Sequence, residues 1–231
     1  MKKSLLMTTA LVALVSASNV YAETIIDSSD NNWSNEYGET GYQVSSPADI
    51  ADTNLIVNGT DVYFTDVSGS FSVSEGDELE LNDGRIHADN LNNSVKISGG
   101  KITAIGNPES INEAGIWANN VEISGGEINL QNGMIKNNTT GDFTMTDGHI
   151  KMNMVEGVSN AIGSEGDNAT INISGGKIDV VGGSSVTSNK FVDSNIFMSQ
   201  NINVSGGEIN IASGANLKTV TGPSGVDGWE S

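Results

Sequence analysis

Cysteine is absent from this chain of 231 residues. No disulfide can hold it, so it relies on packing and backbone ladders; a chain that crosses a second membrane unfolded has the same composition. Basic residues are scarce, 10 Lys and Arg against 29 Asp and Glu, for a formal charge of −19. Such a surface repels nucleic acid and anionic lipid, and acidic polysaccharide too unless a cation bridges them. Long apolar runs are missing after the first 22 residues. Arginine occurs once, at Arg85, and histidine twice, at His87 and His149. With so few bases, no Ser–His–acid set or convergent acid–base pair can be assembled, so a non-enzymatic protein is expected.

The first residues, MKKSLLMTTALVALVSASNVYA, carry Lys2 and Lys3, a short apolar run and a small-residue end at Ala22. This pattern predicts a secretory signal peptide over 1–22, cleaved before Glu23. Its apolar run is too short to span a membrane. Export to the cell surface, the medium or the periplasm follows, and the mature chain is two charges more negative.

What is abundant is a repeat. Five segments share one pattern: VKISGGKITA from Val95, VEISGGEINL from Val121, FTMTDGHIKM from Phe143, INISGGKIDV from Ile171 and INVSGGEINI from Ile202. Their glycines at 100, 126, 148, 176 and 207 stand 26, 22, 28 and 31 residues apart. The irregular spacing makes the strand-turn-strand the constant unit. Successive strand side chains face opposite ways, which generates four inward columns. These begin at Val95, Ile97, Ile102 and Ala104, and the third holds isoleucine in every copy: Ile102, Ile128, Ile150, Ile178 and Ile209. A weaker copy, LELNDGRIHA from Leu79, fits the same columns with its turn at Gly84 and puts Arg85 beside Lys101. Ile116, Ile135, Ile162 and Ile196, with Leu91 before Val95, mark a third strand per turn.

One such unit cannot stand alone. Burial of its five inward side chains yields roughly 10 kcal/mol, and ordering its residues costs about 1–2 kcal/mol apiece. Stacking supplies the balance. The predicted fold is all-β, a right-handed parallel β-helix of about five to seven rungs with an N-terminal cap. Residues 23–78 form the cap and irregular first rungs, 79–211 the repeats and 212–231 a flexible tail. The outward row Lys101, Glu127, His149, Lys177, Glu208 sets Lys beside Glu at two steps and no like charges together with His149 neutral, with Lys96 beside Glu122 and Lys151 beside Asp179. Cross-strand pairs of this kind contribute about 0.2–1 kcal/mol each. These lysines are therefore ladder partners. The glycines explain the SGG corner without a ligand.

The repeated SGGKI, SGGEI and TDGHI, behind a bacterial-style signal peptide, resemble the passenger domains of autotransporter adhesins within the pectin-lyase-like β-helix superfamily. The resemblance spans about Leu79 to Ile211. It implies an adhesin-like binding or spacer role at the surface, directed at a host or environmental glycan or protein. An autotransporter ends in a membrane barrel, and the 20 residues after Ile211 are too few for one. The expectation is a barrel-less relative, a fragment or a separately secreted protein. The chain also resembles extracellular carbohydrate-binding β-helices, which carry Gly-Ile segments such as Gly115-Ile116. That resemblance implies a glycan-binding module, with calcium as its one candidate cofactor. Relatives of the superfamily also include polysaccharide lyases and hydrolases, the least favoured reading for so base-poor a chain.

Candidate site residues are few. Trp117 and Phe197 fall at equivalent outward positions of the third strand and are the candidate partner contacts. No metal ligand set is identified: Glu165 and Asp167 in GSEGDN, and Asp27 and Asp30 in DSSDNN, match no calcium loop. The intervals between the post-turn and third-strand isoleucines vary most. Insertions at 105–115, 153–161 and 181–195 are thus expected to form a lip along one edge.

Overall fold

The computed structural model describes residues 23–34, 38–44, 54–64, 70–88, 94–107, 114–137, 141–154, 161–164, 169–182, 197–199 and 201–211. They form a parallel β-helix. An eleven-stranded sheet and an eight-stranded sheet enclose one apolar core. Neighbouring strands within each sheet come from successive turns and run parallel, except where Trp33–Ser34 closes the second sheet antiparallel to Thr40–Gln43. Among the described residues no helix is long and apolar enough to cross a membrane.

All five repeats stack in the expected register. Val95, Val121, Phe143, Ile171 and Ile202 pair in series, and so do Ile102, Ile128, Ile150, Ile178 and Ile209. The first four members of each column are buried. The third strand is also present, with Ile116, Ile135 and Ile162 in line.

In the last two copies the strand breaks at the SGG segment, between Ile173 and Lys177 and between Val204 and Glu208, but in the first three the segment is not a corner. Ser94–Ile105, Asn120–Gln131 and Asp142–Met154 each run unbroken through it as single long strands. The ladder slips around Ser124, the signature of a β-bulge that bends the sheet without ending it. Gly126 shows why the second glycine recurs. Its φ is +85°, and a Cβ there would lie 2.4 Å from the Gly99 carbonyl oxygen of the preceding rung. Left-handed backbone and close stacking both forbid a side chain.

The weaker copy is placed differently from the sequence reading. Leu79 and Leu81 pair with Ile102 and Ala104, the third and fourth columns. The first two columns are filled by Phe71 and Val73, opposite Val95 and Ile97. The bend is therefore SEGD, residues 74–77, where the Asp77 carboxylate accepts from Ser74 N at 2.7 Å. Ile86 and Ala88 belong to the second sheet, opposite Ile116 and Ala118. Gly84 is the corner between sheets, and its likeness to a bend glycine misled the alignment. The ladder also continues upstream: Leu55 and Val57 pair with Leu79 and Leu81, and Thr24 and Ile26 pair with Leu55 and Val57. Among the described residues the stack thus reaches back to Glu23. Leu91 and Ile196 lie outside the described residues, as do 1–22, 212–231 and most of the three insertions.

The charge ladder exists with some partners exchanged. Lys96 meets Glu122 at 3.7 Å as expected. Lys101 meets Glu78 at 2.8 Å, not Arg85, because the corrected register puts Glu78 beside it. Asp179 is shared by His149 at 2.8 Å and Lys177 at 3.0 Å. Amides form ladders as well: Asn82 donates to Asn58 and Asn203 to Asn172, both at 3.0 Å. All are exposed or half-buried, so each contributes modestly.

The column geometry sets the cost of a buried charge. Ile150 is fully buried between Ile128 and Ile178, whereas Ile209 is only partly buried in the last described rung. Ile150→Asp is expected to lower unfolding stability by about 4 kcal/mol or more, and Ile209→Asp by much less. Thermal and urea melts of the two variants check the ranking.

Candidate functional site: the aromatic ridge of the second sheet

Alternation along the second sheet sends every other residue outward. Three short strands, Asp61–Tyr63, Arg85–Ala88 and Ala114–Ala118, therefore share two outward rows. In one row Asp61 stands opposite Arg85, and Arg85 opposite Gly115. In the other, Gln43, Tyr63, His87, Trp117 and Lys136 succeed one another.

The second row is a ladder of rings. Tyr63 and His87 stack with centroids 4.3 Å apart and planes within 11°. Trp33 lies on Tyr63 at 4.1 Å, and Trp117 meets His87 edge-on at 4.8 Å. Tyr63 and His87 are buried, while the two indoles at the ends are half-buried. Gly41 makes this possible, since a Cβ there would lie 2.5 Å from the Tyr63 ring. Arg85 Cζ and Lys136 Nζ each sit 4.8 Å from the Trp117 centroid, within cation–π range. The buried Trp117 Nε1 makes no hydrogen bond among the described residues.

Asp61 organises the row beside the rings. Its carboxylate accepts Arg85 Nε at 3.0 Å and Nη2 at 2.6 Å, faces His87 Nε2 at 3.2 Å and accepts the Tyr63 hydroxyl at 3.3 Å. Burial alone would raise its pKa. Hydrogen bonds from His87 and Arg85, with the guanidinium charge, outweigh burial and hold it at about 2. An ionised carboxylate only accepts, so His87 Nε2 carries the proton in this contact. Burial and then the nearby carboxylates Asp61 and Glu39 push the Tyr63 hydroxyl well above its usual range. A carboxyl ionised down to pH 2 is a weak base and holds no proton to donate at neutral pH. Asp179 is also held at about 2, by Asn210 first and then Lys177. Both carboxylates are spent on structural partners.

The two sequence candidates separate. Trp117 is a terminal ring of the ridge. Phe197 is not its equivalent: it stands opposite Ile162, and Met198 occupies the place opposite Gly163, in line with Lys136 and Trp117. The register is one residue away from the sequence placement because the long interval before Phe197 leaves phase undetermined. Sequence reasoning missed Trp33, Asp61, Tyr63, Arg85 and His87 as a group. Aligning DVY, RIH and GIW with one another would have found all but Trp33, which joins through the antiparallel strand. Of the acidic loops, Asp27 caps the 3-10 turn Ser28–Asp30 by accepting Ser29 N at 2.7 Å. Glu165 and Asp167 lie outside the described residues. Among the described residues no three His, Asp or Glu side chains gather as a metal site.

The low pKa of Asp61 makes its contribution pH-dependent. The folded value lies below the unfolded one near 3.9, so its stabilisation is present above about pH 4 and lost as pH falls toward 2. The stability difference between the parent and Asp61→Asn is expected to shrink by about 2 kcal/mol between pH 6 and pH 2. Asp179 titrates alike in both proteins and cancels. Urea melts across that range check it.

Comparison with family models, with curated proteins and with solved structures finds no match to this chain.

Proposed function

We propose that this chain is an exported, non-enzymatic β-helix with an adhesin-like role, in which the stack is a spacer and the outer face of the second sheet meets the partner. One observation carries the reading: the two sheets present different chemistry. The bands of the first sheet are self-satisfied ladders such as Lys96–Glu122, Lys101–Glu78 and Asn172–Asn203. The second sheet carries four rings in series, two of them buried and ending in half-buried indoles, beside a locked Asp61–Arg85 pair.

The non-enzymatic half of the reading is supported by how the carboxylates are used. Asp61 and Asp179 are both held at about 2 by fixed partners. A lyase or hydrolase working at neutral pH needs a group poised near its operating pH.

Purified chain 23–231 is expected to adhere to a subset of immobilised glycans and surface proteins, and to release neither reducing ends nor unsaturated sugars from polysaccharides. The double variant Trp33→Ala/Trp117→Ala, with native circular dichroism, should lose adhesion. Product release abolished by Asp61→Asn or His149→Ala would replace this reading with an enzymatic one.

A further inference from the structure

We infer that the ridge binds an uncharged oligosaccharide laid along the axis of the stack. This rests on the second sheet being the binding face, and adds the class of ligand.

Size decides first. Three rung steps at about 4.8 Å give a strip roughly 14 Å long. A stable protein interface needs about 800 Å² per partner, several times what such a strip offers. A short, narrow ligand fits it.

Shape and polarity come next. Trp33 and Trp117 are half-buried at opposite ends of the ladder, with the buried Tyr63 and His87 between them. Indoles offer rigid apolar contact at little entropic cost, and with Arg85 and Lys136 over the Trp117 ring and Tyr63 against Trp33 the contact left to the C–H groups of a pyranose is along their exposed edges. Beside the rings lies a locked polar pair. The Arg85 side chain is 23% exposed and that of Asp61 12%, and they hold each other at 2.6 Å. Donor and acceptor are thus fixed side by side. A sugar hydroxyl both donates and accepts, so it can use the two without breaking them, and the site loses no side-chain freedom on binding.

Charge excludes the alternatives. Arg85 and Lys136 lie near Trp117, with Asp61 beside Arg85 in the adjoining row, so the patch is close to balanced. The chain around it carries −19. An anionic glycan would be repelled on approach. A cationic ligand would have to compete with Arg85 for Asp61 and would meet Lys136.

The probes are neutral gluco-, xylo-, manno- and galacto-oligosaccharides and oligomers of N-acetylglucosamine, set against oligouronates and sialylated glycans. Titration calorimetry would use the 23–231 chain, first with calcium and then with chelator. At least one neutral series is expected to bind, with the same affinity in both buffers. Trp117→Ala should weaken it about tenfold or more, Trp117→Phe should retain most of it, and Lys96→Gln on the first sheet should change nothing. Circular dichroism and melting curves confirm that each variant is folded. Tighter binding of acidic glycans, equal binding by Trp117→Ala or silence toward every glycan would overturn the inference. If the chain is silent toward glycans yet adheres to proteins through the two indoles, only the ligand class falls. If it adheres to nothing, the adhesin-like role falls with it.

Discussion

Backbone hydrogen bonding between successive turns is the constraint on which the rest of this molecule depends. A single turn buries too few side chains to offset the ordering of its own residues. The next turn supplies both the missing hydrogen bonds and the other half of the core. The corners obey the same rule as the strands. Gly59 donates to Asn82 O at 2.8 Å, Asp83 to Ile105 O at 2.8 Å and Gly106 to Gln131 O at 2.9 Å. At the other corner Phe64 donates to His87 O at 2.9 Å and Asn119 to Ala88 O at 3.0 Å. Because even the bends are laddered, residues at one level are tied in register to those above and below. Rows of like side chains are the outcome.

Register then decides what each outer face can be. Along the first sheet, stacking at a fixed short distance disfavours like charges in adjacent places and favours opposite charges or amides, as at Lys101–Glu78 and Asn172–Asn203. Along the second sheet the same distance suits the thickness of an aromatic ring. Tyr63 and His87 stack at 4.3 Å for that reason. A buried histidine beside a buried tyrosine needs a polar anchor, and Asp61 provides it while holding Arg85 over Trp117. The ridge is thus the charged hub and the ring ladder acting together, with neither well placed without the other.

Most of the architecture was legible in the sequence because columns repeat. Isoleucine five times at one phase left one register for those five copies, and the structure has it. Legibility failed where phase was not locked by repetition. LELNDGRIHA imitates a bend through Asp83-Gly84, yet that pair turns the chain from one sheet to the other. With its bend misplaced, Ile86 went to the wrong sheet, and Arg85 and His87 with it. The ridge was hidden for the same reason, since its rings come from three-residue alternations in segments of unequal spacing. The one-residue displacement of Phe197 has a related cause: a long insertion preserves the existence of the next strand but not its phase.

The two ends of the stack are unlike. At the N-terminal side the antiparallel strand Trp33–Ser34 and the turn at Ser28–Asp30 lie across the first coils. In the last described coil Val204 is 53% exposed and Ile211 37% exposed. An array in which each coil leans only on its neighbours loses order from whichever terminus is held less firmly. Among the described coils, fraying therefore has a direction, starting near Ile211 and advancing toward the aromatic rows. A pulling force or a protease would remove the plain ladders first and reach the face with Trp33 and Trp117 last.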